Sequence, residues 1–261
     1  MILLCPNDHA TIDNIPSGPL EYPVDALHDL KRKHEVWVAE STEFDRKAQV
    51  AAEQWAEIID QLSTKLAWDD WLTHSGWLQS ADGPQLSCEI YEQFKAVPPW
   101  ILSRVWPQGH PRLRAVISQM ALVLNDFLNV FSRYAKRMYD DSPTMETVRF
   151  YQSGEWIDNY HELVRRYEYH VDLVQDLTLE LTRYGNWIAD LVRDEFDPSF
   201  RVDQGALLVM RGPNQYLQFE TFRTEFSEEE RSSGRPYRSL EDFKRVRFTR
   251  DYVIGLQSSA E

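Results

Sequence analysis

Two long stretches of alternating apolar and polar positions dominate the chain. In residues 156–195, Ile157, Tyr160, Val164, Tyr167, Val171, Val174, Thr178, Leu181, Gly185, Ile188 and Val192 follow steps of three and four. That spacing keeps one seam of a helix facing a partner. A second row, Trp156, Leu163, His170, Leu177, Tyr184 and Leu191, recurs every seven residues and widens the seam. Such a helix is about 60 Å long at about 1.5 Å per residue. Residues 113–138 carry the same alternation in Leu113, Ile117, Met120, Leu124, Phe127, Phe131, Tyr134 and Met138. The two helices are expected to pack antiparallel with the seam buried and Glu180, which lies off it, exposed.

The remaining elements are shorter. Val24, Leu27, Leu30 and His34 share one helical face, with Lys31, Arg32 and Lys33 in the last turn, where cations suit the helix dipole. A polar link at residues 40–46 is expected before a helix carrying Ala48, Ala51, Trp55, Ile58, Ile59, Leu62 and Leu66 on one side. Trp68, Trp71, Trp77 and Trp100 stand beside aliphatic residues with no run of bases between them, which favours core packing over base stacking. Pro98-Pro99 and residues 107–111 read as turns. Asp140-Asp141-Ser142-Pro143 is expected to end the first long helix, with Ser142 or Thr144 capping a short helix that runs to Arg149. Asp197-Pro198 stops the second long helix. Leu207 to Met210 and Tyr216, Leu217, Phe219 and Phe222 then form a hairpin about Gly212-Pro213-Asn214. Glu228-Glu229-Glu230 reads as a loop, and Val246, Phe248, Arg250, Tyr252 and Ile254 alternate as a half-buried strand would.

Composition narrows the function classes. With 43% hydrophobic residues in 261, the chain can bury a sizeable core. Its 42 acids outnumber 28 bases, giving a net charge of -14. Generic binding to nucleic acid is therefore disfavoured, because affinity for a duplex comes largely from cations that neutralise phosphates. The only basic patch of note, Arg231, Arg235, Arg238, Lys244, Arg245, Arg247 and Arg250, is interleaved with Tyr237, Phe243, Phe248 and Tyr252. Charge balance assigns it to the acidic body or to an acidic partner. Cys5 and Cys88 supply no disulfide framework and suit a reducing compartment. The start lacks a signal-peptide pattern, and no apolar run approaches the ~18 residues of a membrane span. A cytoplasmic protein without a membrane partner is expected.

Several histidines invite catalytic readings. His161-Glu162 begins a zinc-protease pattern, but Arg165 stands where the second histidine is required. Glu168 and His170 have the wrong spacing for a carboxylate-bridged di-iron site, so His170 reads as a core histidine and His110 as a turn residue.

The first stretch has a different accent. Leu3-Leu4-Cys5, then His9, Ile12-Asp13, a proline-containing loop, and Tyr22-Pro23-Val24 followed by Leu27, Lys31, His34 and Glu35, resembles the C-terminal half of the HNH endonuclease module. The resemblance covers residues 1–37. It implies a ββα-metal fold in which His9 ligates a divalent cation, Mg²⁺ or Mn²⁺. Cys5 matches the first cysteine of a structural zinc pair, but Asp8 occupies the second position, which argues against a four-cysteine zinc site. The family's general-base histidine lies on a strand that would precede Met1. One histidine cannot be both base and ligand, and hydrolysis needs both roles.

The expected fold class is therefore mainly α: a partial ββα-metal, HNH-like module at 1–38, an α-helical bundle with a long antiparallel helix pair at 39–205, and a small C-terminal α+β segment at 206–261. The expected function is that of an HNH-related chain, ancestrally a metal-dependent DNA hydrolase, inactive or truncated as it stands, with a divalent metal only if the module is complete. The alternative is a non-catalytic helical interaction or scaffold protein. A protein partner or a second copy is expected ahead of DNA.

Overall fold

The structure, a computed structural model, describes residues 10, 12–13, 22–80, 82–152, 159–213 and 216–247. It is mainly helical with small sheets. Contacts divide the chain into two units, Met1–Trp55 and Ala56–Glu261. Helix α1, Val24–Lys65, begins in the first unit and ends in the second. The polar link expected at residues 40–46 is helical instead, since no proline or glycine interrupts residues 24–65. Within the first unit, Val24, Leu30 and Trp37 are exposed.

In the second unit, Ile58, Ile59, Leu62 and Leu66 are buried as their spacing requires. A 3₁₀ turn at Trp68–Asp70 leads to α2, Trp71–Leu78. Strand β1, Gln85–Ser87, runs into α3, Cys88–Leu102, where the Ser87 hydroxyl accepts from the Ile90 amide. Pro98 and Pro99 lie inside α3 rather than at a turn. Each removes a helical hydrogen bond, but Phe94, Val97, Pro98 and Ile101 are buried together, so tertiary packing holds the helix through them.

The two long helices are α4, Pro111–Ser132, and α5, Tyr160–Glu195. They run antiparallel. His110 Nδ1 at the start of α4 lies 3.2 Å from Glu195 Oε2 at the end of α5. Midway, the Tyr184 hydroxyl donates to Gln119 Oε1 at 2.9 Å. At the far end, the Tyr134 ring stands edge-on to His170, with centroids 4.8 Å apart. Helix α4 alone among the described helices is long and apolar enough to cross a membrane by length and composition. Here Leu113, Ile117, Leu124, Phe127 and Phe131 are buried in the core.

Helix α4 stops six residues short of the expected Met138. Residues after it form β2, Ala135–Arg137, which pairs antiparallel with β3, Thr144–Thr147. Strand β1 completes the sheet on the other edge of β3. The short helix expected from Ser142 or Thr144 is thus a strand. Its threonines suit a pleat, and Thr147 donates through Oγ1 to Pro84 O at 3.1 Å. Met138, which prolonged the apolar period, is exposed.

Helix α5 departs further from the one-seam reading. From Leu173 to Ala189 every residue is buried, whichever way it points. Glu180, expected to be exposed, has an exposure of 0%. A helix enclosed on all sides is normally apolar all round; this one is not, because its polar side chains meet partners on surrounding elements. Thr182 Oγ1 accepts from Trp71 Nε1 at 3.0 Å, and Gln175 Nε2 donates to Ser80 O at 3.3 Å. Arg183 Nη1 donates to Glu180 Oε2 at 3.2 Å within the helix. Asn186 holds the chain after α5. Its Nδ2 donates to Leu207 O and Thr224 O, both at 3.0 Å, and its Oδ1 accepts from the Leu207 amide at 2.8 Å. Beside it, a Cβ on Gly185 would sit 2.5 Å from Leu207 Cδ1, so the missing side chain is what admits Leu207.

Asp197-Pro198 follows the end of α5 as expected, and the hairpin forms from β4, Leu208–Arg211, and β5, Glu220–Arg223. The acidic run is not a loop. It forms α6, Glu228–Ser232, closed by a capping box between Ser227 and Glu230. Val246 ends a helix rather than opening a strand: α7 spans Leu240–Val246, with Ser239 Oγ accepting from the Asp242 amide at 3.2 Å. Phe248, Arg250, Tyr252 and Ile254 lie outside the described residues.

Candidate functional site

The metal ligand implied by the HNH resemblance, His9, lies outside the described residues, as do Cys5 and Asp8. Asp13 occupies an exposed turn. His28 and His34 are exposed on α1, and His34 stacks on Trp37 with centroids 5.7 Å apart. Among the described residues, no group of three or more His, Cys, Asp or Glu side chains is placed to hold a metal ion.

The structure instead brings three separate stretches together around one cleft. The C-terminal end of α4, the first three turns of α5 and helix α7 enclose about 810 Å³. Val130 and Leu173 are buried at its floor with His170, while Tyr134, Tyr169 and Leu240 form apolar walls. Four cationic side chains line it, Arg133, Arg165, Arg166 and Lys244, against one carboxylate, Glu162. Lys244 Nζ lies 2.7 Å from Glu241 Oε1. Arg133, Arg165 and Arg166 form no ion pair with a carboxylate among the described residues. Arg133 lies over the Tyr134 ring, 5.7 Å from its centroid. On a chain of net charge -14 this is a local inversion of sign.

The wall supplied by α7 is fastened at both ends. Ahead of it, Gln119 Nε2 donates to Gly234 O at 2.6 Å, and the Tyr237 amide donates to the Tyr184 hydroxyl at 3.2 Å. The Tyr237 hydroxyl donates to Asp126 Oδ2 at 2.6 Å, and burial, reinforced by that carboxylate, pushes its pKa up. Behind it, Arg247 has an exposure of 1% and donates from Nε to Asp176 Oδ2 at 2.6 Å. The same guanidinium lies 5.3 Å from the centroid of Tyr169, a cleft residue. Arg247 was expected on a solvent-facing strand; it is a core anchor. Arg245 pairs with Asp242 on the surface.

His170 is buried as its place in the apolar row requires, with an exposure of 5%. Burial, assisted by the Arg133 charge, lowers its pKa from 6.5 to about 4. Its ring lines the cleft, and its Nε2 has no hydrogen-bond partner among the described residues. The depressed value has a direct consequence for stability. Between 6.5 and about 4 the unfolded chain binds a proton that the folded chain refuses. Stability supplied by the neutral ring is complete above 6.5 and is lost as pH falls towards 4. The loss is of the order of 2–3 kcal/mol. Urea unfolding of the wild type and His170→Gln across this range should show the two curves converging as pH falls. Parallel curves would mean that the ring is not held neutral.

The missed residues were legible one at a time. Arg165 enters the sequence reading only where a second histidine is required, Arg166 does not enter it, and Arg133 sits at a helix end that the apolar period overruns. Lys244 stands in the sequence as one member of a single basic patch with Arg245 and Arg247, whereas α7 and its end give the three different surroundings. No protein-family model matches the chain, and neither a curated protein nor a solved structure matches it.

Proposed function

We propose that the chain is a non-catalytic helical binding protein rather than a working nuclease, and that the cleft between α4, α5 and α7 holds a phosphate-bearing anion. The observation that carries this reading is the set of three arginines, Arg133, Arg165 and Arg166, in one concavity with no carboxylate paired to them among the described residues. Cations on a protein surface normally find acids, above all where acids are in excess. Arginine presents a planar fork that suits phosphate oxygens bidentately. The nuclease ancestry read from residues 1–37 concerns a different stretch and is compatible with this role.

Calorimetric titration of the full chain with inorganic pyrophosphate at low ionic strength tests the proposal. Binding is expected, weakening as salt is added. Arg165→Ala/Arg166→Ala should reduce affinity by about tenfold or more, while melting unchanged, because both side chains are exposed. Absence of binding by the wild type, or equal binding by the variant, would overturn the reading.

A further inference from the structure

From the floor of the same cleft we infer that its ligand is a nucleotide: a phosphate head held by the arginines, and a flat nitrogenous ring lying between Tyr134, Tyr169 and Leu240 with its edge towards His170. The inference rests on the anion-binding reading and specifies what the anion is attached to. The first argument is size. A volume of about 810 Å³ is that of a site for an organic ligand, and a bare phosphate or pyrophosphate would leave most of it empty.

The second argument is the separation of chemistry within the cleft. Its cations are exposed or partly exposed and its floor, Val130, His170 and Leu173, is buried. A ligand matching this order is charged at one end and apolar at the other. Two tyrosine rings among the walls favour a planar body, since aromatic faces stack on any base regardless of its sequence identity. The third argument is His170. An alkyl chain has nothing to offer a polar ring on the floor, whereas a heterocycle brings donors and acceptors to a ring that lines the cleft, is neutral and so carries one donor and one acceptor nitrogen.

The test compares three probes of similar charge on the full chain: pyrophosphate, adenosine diphosphate and uridine diphosphate, with dodecyl phosphate as an apolar amphiphile. At least one nucleoside diphosphate should bind about tenfold or more tightly than pyrophosphate. Leu240→Ala, in a partly exposed wall, should remove most of that advantage and weaken pyrophosphate far less than it weakens the nucleotide. His170→Leu should remove part of it and His170→Gln should restore it. In the wild type, whose folding is not in question, nucleotide addition should shift the ring nitrogen resonances of His170 in a long-range proton–nitrogen spectrum, and pyrophosphate should leave them in place. If pyrophosphate binds and neither nucleotide binds more tightly, or if dodecyl phosphate binds best, the nucleotide assignment is overturned while the anion site stands. If none of the four binds, both are overturned.

Discussion

Asp176→Ala should lower the free energy of unfolding by about 3–5 kcal/mol, the range for breaking a buried ion pair from one side. Asp176 and Arg247 are both almost wholly enclosed, and Arg247 Nε meets the carboxylate at 2.6 Å. Removing the carboxylate leaves a guanidinium that cannot be deprotonated and has lost its opposing charge. The strength of this expectation is that it reverses in a second variant. Asp176→Leu/Arg247→Leu removes both charges, so the desolvation cost disappears together with the pairing that offset it. The double variant should therefore be more stable than Asp176→Ala, approaching the wild type. Urea denaturation followed by tryptophan fluorescence measures both. A single variant within about 1 kcal/mol of wild type, or a double variant worse than the single, would contradict the buried anchor. Because Arg247 lies just beyond α7, the single variant should also loosen the cleft wall and weaken pyrophosphate binding.

Asn186→Asp should be as damaging although it changes the side chain by one atom. Asn186 faces two backbone carbonyls with its amide nitrogen and one backbone amide with its oxygen. A carboxylate keeps the acceptor for Leu207 but sets an oxygen against Leu207 O and Thr224 O, which leaves two buried carbonyls without their donor. At about 1–3 kcal/mol for each unsatisfied group, the cost is about 3–5 kcal/mol. Asn186→Ala, which loses all three bonds but adds no repulsion, should cost somewhat less. Hydrogen exchange gives a local readout: the Leu207 amide should remain protected in Asn186→Asp and lose protection in Asn186→Ala. Equal protection in both would mean that the side chain does not hold this strand entry.

The two variants mark where the sequence was readable and where it was not. The seam of α5 was legible because Val174, Leu177, Leu181 and Ile188 repeat at helical spacing, and that spacing has few other causes. Asp176, Glu180, Arg183 and Asn186 fall between those positions, where a polar residue usually faces water. The burial of Asp176 and Asn186 depends on partners as distant as Arg247 and Thr224, and one-dimensional periodicity carries no sign of a partner that far away. Pro98-Pro99 and Met138 failed for a related reason. Each was judged by local preference, and each was decided by tertiary burial or strand pairing. The cleft is the least legible feature, since Arg133, Arg166 and Lys244 belong to three stretches far apart in sequence and nothing in their local pattern signals that they meet.

The enclosure of α5 also sets the order in which the chain can become itself during synthesis. Asp176 leaves the ribosome 71 residues ahead of the arginine that will cover it. Through that interval the helix has its earlier partners, α2 and α4, gains the strand entry at Leu207 part-way, and lacks throughout the arm that ends in Arg247. Its acids must therefore stay hydrated, and the segment that later lies deepest in the molecule must travel with one flank open. Completion of this core thus waits on residues made long after the helix, when the arm that ends in Arg247 closes over it.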